Sequence, residues 1–170
     1  HSIHYLDWIR SVLGNPRSVH CKSIKHPSVP KLSDARSSII LEYEKDIRCC
    51  LSINHTHDTD MHGMKHSHAY ARVEGNKGAA YIKFGLLLNY PKGEPEEIEI
   101  STDGVEWTKV NDVGTWFPDA FIGTMSSLQR YAAGEDEDLL HSIDNAYETM
   151  ALVYACLKSN ETPGTTVEYK

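Results

Sequence analysis

Apolar residues recur at helical spacing in three segments of the chain. In the first, residues 1–13, they return every three or four positions until Gly14 and Pro16 end the pattern. The second segment follows Pro118, which suits a first helical position, and ends at Gly134. Ser142 can cap the third segment. Its predicted buried face consists of Ile143, Ala146, Tyr147, Met150, Tyr154 and Leu157.

Short runs typical of β-strands fill the region between the first and second helices. The predicted strands cover residues 18–24, 37–43, 47–54, 70–74, 79–84, 86–90, 96–102 and 105–110, with one more at 165–169. Asp103-Gly104 is a strong hairpin signal, because both residues tolerate positive φ. This order of elements predicts an α+β fold: an open, mostly antiparallel β-sheet with helices packed on one face.

The strands do not alternate cleanly between apolar and polar residues. Ile39, Ile40 and Leu41 are consecutive, so apolar side chains would lie on both sheet faces. A partner is then needed to cover the face without helices, which predicts a homo-oligomer, a dimer or tetramer, through the sheet. With 170 residues, we expect residues 1–170 to form a single domain.

Composition and charge exclude several classes of function. The formal net charge is −7, and residues 94–148 alone carry 14 acidic and 2 basic side chains, which argues against a duplex nucleic-acid partner. No apolar run approaches the ~20 residues of a membrane span, so we expect no membrane partner. The four cysteines lack the spacing of a disulfide scaffold and fit a reducing, cytoplasmic setting.

The usual nucleotide and hydrolase motifs are absent from the sequence. It contains no G-x-G-x-x-G, no phosphate-binding G-x-x-x-x-G-K-[ST] and no G-x-S-x-G. We therefore expect no cofactor-binding residues in this chain.

A histidine-rich loop and an aromatic pair are candidates for substrate binding. His55 and His57 leave the end of a predicted strand, where loop residues commonly line a cleft. Five of the ten histidines lie at 55–68, but their spacing matches no zinc motif, so a metal-dependent enzyme is a distant alternative and we assign no metal site. Trp116 could stack on a sugar ring, although core packing or an interface role is as consistent with it.

The opening helix carries the most specific motif. His4 and Asp7 lie three residues apart and hence on one helical face. With Arg10, Gly14 and Pro16 they match the form H-x-x-D-x-x-R-x-x-x-G-x-P, which resembles the glucose–fructose oxidoreductase / inositol dehydrogenase (Gfo/Idh/MocA) family of NAD(P)-dependent oxidoreductases. The resemblance continues in the same order through the segments 41–55, 74–85, 116–135 and 142–159.

The resemblance implies a C-terminal domain. In that family an N-terminal Rossmann domain binds NAD or NADP, while the C-terminal domain contacts a sugar or polyol-like substrate and forms the oligomer interface. His4 matches the histidine that accepts the proton of the substrate hydroxyl, a role suited to imidazole. The family's Asp and E-K-P lysine would lie upstream of His1, so the missing Rossmann domain is an expected partner.

Two functions from different classes follow. The first is the substrate-binding and oligomerisation domain of a NAD(P)-dependent sugar or cyclitol dehydrogenase, inactive by itself, with His4 as its catalytic residue. The second is a stand-alone, non-catalytic ligand-binding or assembly module that has no Rossmann half.

Overall fold

The computed structural model of the chain describes residues 2–27, 30–31, 36–44, 46–54, 69–85, 95–111, 113–115, 118–166 and 168. Its helices are α1 (Ser2–Leu13), α2 (Ala120–Ala132) and α3 (Ile143–Glu161). Its strands are β1 (Ser18–Ile24), β2 (Arg36–Glu42), β3 (Arg48–Asn54), β4 (Ala69–Gly75), β5 (Gly78–Phe84), β6 (Glu97–Ser101) and β7 (Thr108–Lys109). All pairings between these strands are antiparallel, which confirms the predicted α+β class with an open, antiparallel arrangement.

The chain divides into two compact units. Unit 1 comprises residues 1–61 and 142–170, and unit 2 comprises residues 62–141. Each has its own sheet, so the described strands form a three-stranded and a four-stranded sheet. The assignment of residues 1–170 to one domain stays a prediction.

Unit 1 is built from a sheet in the order β1-β2-β3, with α3 packed on β1 and α1 packed on α3. Its strands alternate cleanly between inward and outward residues. The inward side chains join those of the two helices in one core cluster. Its buried members are Leu6, Ile9, Cys21, Ile39, Leu41, Leu152 and Cys156.

The outer face of this sheet is largely polar but carries the apolar side chain of Ile40, so apolar residues of β2 lie on both faces as predicted. Ile39 and Leu41 point into the core, whereas Ile40 points outward and is 44% exposed. Ile40 is flanked on its strand by outward Ser38 and Glu42. The partner that would cover this second face stays a prediction.

Unit 2 contains the sheet in the order β4-β5-β6-β7. The β4–β5 hairpin closes at the Gly75–Gly78 pair, as the sequence Gly75-Asn76-Lys77-Gly78 predicts. Gly78 has φ +150°, and a Cβ there would lie 2.4 Å from the carbonyl oxygen of Ser101 on β6. Only glycine fits this close approach between strands.

The Asp103-Gly104 turn joins β6 to β7 as predicted, but through a longer loop, residues 102–107. The Asp103 carboxylate accepts hydrogen bonds from the backbone N–H groups of Val105 and Glu106, both at 2.9 Å. Gly104 has φ +76° and donates its N–H to Ser101 Oγ. The hydrogen bonds that the Asp103 carboxylate accepts from Val105 and Glu106 satisfy the loop backbone and lower the pKa of Asp103 below its usual range.

The helix ends agree with the sequence at α3 and differ at α2. Ser142 caps α3 as predicted, since its side chain accepts a hydrogen bond from the Asn145 N–H at 3.2 Å. Pro118 lies in a turn, and α2 begins only at Ala120. Asp119 does not cap α2 with its side chain, because its carboxylate instead accepts hydrogen bonds from the N–H and hydroxyl of Thr115.

The buried face of α3 differs from the predicted one. Thr149, Leu152 and Cys156 face the core, whereas Ile143 is 85% and Tyr147 75% exposed. The predicted last strand is not formed at residues 165, 166 or 168, and the predicted strand at 86–90 lies outside the described residues. None of the described helices is both long and apolar enough to cross a bilayer.

Candidate functional site

His4 lies in the first turns of α1, with an exposed side chain. Asp7 lies one turn further along the same helical face and is also exposed. An exposed imidazole can exchange protons with solvent or with a bound hydroxyl group. The role of His4 in proton transfer stays a prediction.

Arg10, a further turn along α1, is the centre of a polar network that joins α1 to α3. Its side chain is only 7% exposed, although an arginine is rarely buried unless it is paired. The group donates hydrogen bonds to atoms of five residues. They are Asn15 Oδ1 at 2.8 Å, Asp7 Oδ1 at 3.4 Å, the Asn145 carbonyl at 3.3 Å and Oδ1 at 3.1 Å, Thr149 Oγ1, and Glu148 Oε2 at 2.5 Å.

Asp7 is held by this network. Its carboxylate Oδ1 accepts the hydrogen bond of the Thr149 hydroxyl at 2.5 Å as well as that of Arg10. Thr149 is buried, so the pair fixes α1 against α3 at this level. Asp7 consequently acts as a positioning group for the helix that carries His4.

A cleft of about 310 Å³ opens beside the network, within unit 1. Its lining combines both signs of charge, neutral hydrogen-bonding groups and apolar surface. The polar lining residues are Arg10, Asn15, Arg17, Ser18 and Glu148, and the apolar ones are Pro16, Val19, Tyr147, Ala151, Leu152 and Ala155. His4 is not among them, so the structure does not bring His4 and the cleft together.

Two carboxylates in this region are stabilised in their charged form. Hydrogen bonds from Asn15 and the nearby Arg10 guanidinium lower the pKa of Glu148 below its usual range, against a smaller opposing effect of burial. The Ser18 hydroxyl, together with His20 and Arg17, lowers the pKa of Glu42. Both side chains are therefore hydrogen-bond acceptors at neutral pH.

Three of the four predicted site residues, His55, His57 and Trp116, lie outside the described residues. Their assignment to substrate binding stays a prediction. Among the residues that the structure describes, no group of three His, Cys, Asp or Glu side chains could hold a metal ion.

The sequence did not predict the cleft or the contribution of Arg10 to it. Arg10 entered only as one position of a motif, because a charged residue on a helix is ordinarily solvated. Its partners Asn145, Glu148 and Thr149 lie about 140 residues away in sequence. The only available signal was Thr149, a polar residue in an otherwise apolar stretch of the last helix.

Comparison with solved structures shows the same fold in oxidoreductases. One is an oxidoreductase from Agrobacterium radiobacter in complex with NAD+, L-tartaric acid and magnesium (TM-score 0.67, 16% identity, 94% of this chain and 45% of that chain). Another is the aldose-aldose oxidoreductase from Caulobacter crescentus complexed with glycerol (TM-score 0.64, 13% identity, 93% and 43%). A third is the biliverdin reductase from Synechocystis in complex with biliverdin and NADP+ (TM-score 0.61, 10% identity, 93% and 44%).

At these identities the likeness shows the fold alone. No protein-family model matches the sequence, and neither does any curated protein. The chain spans less than half the length of the three oxidoreductases, whereas the alignments cover 93–94% of the chain itself.

Proposed function

We propose that this chain is the substrate-binding and oligomerisation half of a NAD(P)-dependent dehydrogenase that oxidises a CH–OH group of a sugar or cyclitol. The observation that carries the proposal is the extent of the structural likeness. Nearly the whole chain matches oxidoreductases solved with NAD+ or NADP+, yet it spans only 44–45% of their length. The sequence also has no glycine-rich nucleotide motif, so the cofactor would be bound by a Rossmann portion outside these residues.

His4 is the proposed acid/base residue of the complete enzyme. It would accept the hydroxyl proton while hydride leaves the same carbon for the nicotinamide, which supplies the redox chemistry when bound. The Arg10–Asp7–Thr149 contacts support this role, because they hold the helix that carries His4 against α3.

The oligomer surface proposed for this function is the sheet of unit 2. Val73 on β4 is 36% exposed, and Ile100 on β6 is 45% exposed. Val73 pairs with Ala80, which in turn pairs with Ile100, so all three share one face.

The cellular location proposed for the protein is the cytoplasm. The described cysteines are free thiols, which supports a reducing compartment.

A cofactor titration tests the division of labour. We expect no saturable change in nicotinamide fluorescence when NADH is titrated into the purified 170-residue chain. Saturation at micromolar NADH would contradict the proposal, since the nucleotide would then be bound without a Rossmann portion. Reading the gene upstream of His1 is the second test: a glycine-rich strand–turn–helix and an E-K-P sequence are expected there.

The role of His4 is tested in the protein that includes this upstream region. His4→Ala should lower kcat by about 10²- to 10⁴-fold and remove the corresponding limb of the pH–rate profile. The matched control is His20→Ala, which changes a similarly exposed histidine on β1 and should leave kcat unaltered. Equal effects of both variants would contradict a specific role for His4.

The second candidate is a non-catalytic ligand-binding module, and the cleft favours it. A polyhydroxylated molecule could donate to Glu148 and accept from Arg17, while its C–H face packs on Tyr147. Ligand-detected NMR with a panel of hexoses and cyclitols distinguishes the candidates. Binding that is lost in Tyr147→Ala but retained in His4→Ala would support the module over the dehydrogenase.

A further inference from the structure

The outer surface of α3 carries a continuous apolar stripe, which we call the α3 seam: Ile143, Tyr147, Met150, Tyr154 and Leu157. The exposed fractions of these side chains are 85%, 75%, 43%, 70% and 45% in that order. Isolated apolar residues on a surface are ordinary, but a contiguous stripe is typical of an interaction site. The seam is separate from the face of α3 that packs on the core, which contains Thr149, Leu152 and Cys156.

The spacing of the α3 seam is that of a helix-pairing surface. Successive seam residues are separated by 4, 3, 4 and 3 positions. This is the pattern by which two helices interdigitate along a shared stripe, as in coiled coils and helix bundles. A seam of this kind fits another helix, because its spacing matches the grooves between the side chains of a facing helix.

The exposed area is sufficient for a stable interface. At about 150–250 Å² for a large side chain, the exposed fractions amount to roughly 500–800 Å² on each copy. A standard protein–protein interface buries about 800 Å² per partner, so a pair of seams falls at the lower end of the stable range.

The charges beside the seam select a second copy of the same helix in antiparallel orientation. Asp144 follows the first seam residue and Lys158 follows the last one, so both lie on the same flank at opposite ends. Ala151 lies midway between them on that flank and leaves room for close approach. In an antiparallel pair each Asp144 therefore faces the partner's Lys158, whereas a parallel pair would bring no opposite charges together.

We propose that two copies of this chain associate through the α3 seam, antiparallel, with the two-fold axis close to Met150. This interface is distinct from the sheet face proposed above and does not depend on dehydrogenase activity. Each copy covers the partner's two tyrosines, which are typical anchors of interfaces. Antiparallel packing also places the last turn of one helix beside the first turn of the other, which is favourable for the helix dipoles.

Analytical ultracentrifugation of the 170-residue chain tests the interface. We expect Tyr154→Glu to halve the mass of the particle, because an unpaired carboxylate would be buried at the seam. Ile143→Glu is a second variant, at the most exposed seam position, and should also halve the mass. The matched control is Ile122→Glu on α2, which changes an apolar residue of 63% exposure and should leave the mass unaltered. Circular dichroism verifies that each variant is folded.

Disulfide cross-linking tests the orientation. In a Cys50→Ser background, which removes the exposed thiol, Met150→Cys should form an intermolecular disulfide because it lies next to the axis. Ile143→Cys should not, since its counterpart on the partner would be about 20 Å away along the helix, well beyond the ~7 Å that a disulfide spans between Cα atoms.

Each outcome decides the proposal. A wild-type chain that is monomeric at about 100 μM would overturn the proposal, because a dimer of micromolar affinity is mostly formed at that concentration. A mass that Tyr154→Glu does not change would overturn it as well. Cross-linking of both cysteine variants would refute the antiparallel orientation. An oligomer that survives Tyr154→Glu but dissociates on Ile100→Glu would overturn the seam while supporting the sheet-face oligomer.

Discussion

Unit 1 and unit 2 use similar sequence patterns but bury very different amounts of apolar surface. In unit 1, two helices and a three-stranded sheet enclose a core of seven buried residues around Leu41, which is fully buried. In unit 2, Phe84 is the sole buried apolar side chain among the described residues, and Ile100 and Val73 remain partly exposed. A sheet alone cannot form a core; it needs a second layer against its apolar face.

The difference indicates where stability and adaptability reside. Unit 1 has its covering layer within its own residues, since α3 supplies Leu152 and Cys156 to the sheet. The described part of unit 2 depends more on strand pairing and turn geometry, such as the Asp103 loop and the close approach at Gly78. Regions with less buried apolar surface open more readily, so we expect unit 2 to be the less stable part.

The largest expected effect is a core truncation in unit 1. Leu41→Ala should lower the free energy of unfolding by about 3–5 kcal/mol, because it leaves a cavity at a fully buried site. The matched change in unit 2, Ile100→Ala, should cost less than about 1.5 kcal/mol, since that side chain is already 45% exposed. Urea unfolding monitored by peptide-resolved hydrogen exchange measures both, and equal losses would contradict the contrast between the units.

The next effect concerns the link between α1 and α3. Arg10→Ala should lower the free energy of unfolding by about 2–3 kcal/mol, because several charge-assisted hydrogen bonds between α1 and α3 are lost. Arg10→Lys keeps the charge but not the planar donor geometry and should recover only part of the loss. Urea titration of the three proteins measures this; full recovery by lysine would mean that charge alone accounts for the network.

A smaller effect is the response of unit 1 to alkaline pH. Burial and the adjacent Cys21 raise the pKa of the Cys156 thiol from 9.0 to about 12. Between these values the unfolded chain loses the thiol proton while the folded chain keeps it, so stability falls as the pH rises through this window. We expect a loss of about 1 kcal/mol between pH 8 and pH 10, reduced in Cys156→Ala.

The corresponding control is the exposed thiol. Cys50→Ser should leave the alkaline slope unchanged, since that side chain lies on the outer face of the sheet. Unfolding measured at several pH values shows whether the slope follows the buried thiol. A slope that persists unaltered in Cys156→Ala would contradict the assignment.

The smallest expected effect is at an ion pair of unit 2. Lys83 Nζ lies 2.9 Å from Glu97 Oε1, and both side chains remain partly exposed, at 31% and 45%. Lys83→Met should therefore change the free energy of unfolding by less than about 1 kcal/mol, far less than Arg10→Ala. Thermal unfolding at low and high salt measures it. A loss as large as that of Arg10→Ala would show that unit 2 also depends on a buried polar network.

Local patterns were sufficient for most element boundaries. The strand at Ser18–Ile24 forms as predicted, and the Ser142 cap begins α3 where the sequence indicates. These features depend on a few neighbouring residues, namely turn formers and a side-chain oxygen near free N–H groups.

The buried face of α3 could not be predicted in the same way. The apolar pattern predicted that the stripe from Ile143 to Leu157 is the buried face of α3. The observed buried face contains Thr149 instead, because Asp7 and Arg10 form hydrogen bonds with its hydroxyl. That partnership joins residues 142 positions apart, and no local pattern contains it. The Arg10 cleft was missed for the same reason, whereas the position of His4 on α1 followed directly from the helical motif.

The division of unit 1 into residues 1–61 and 142–170 has a consequence for biosynthesis. The first sheet leaves the ribosome well before α3, and at about 5–20 residues per second the intervening stretch takes roughly 4–16 s to translate. During that interval α3 is not yet available to cover the inner sides of Ile39 and Leu41. A premature stop codon before Leu152 would therefore remove the helix that completes the core of unit 1.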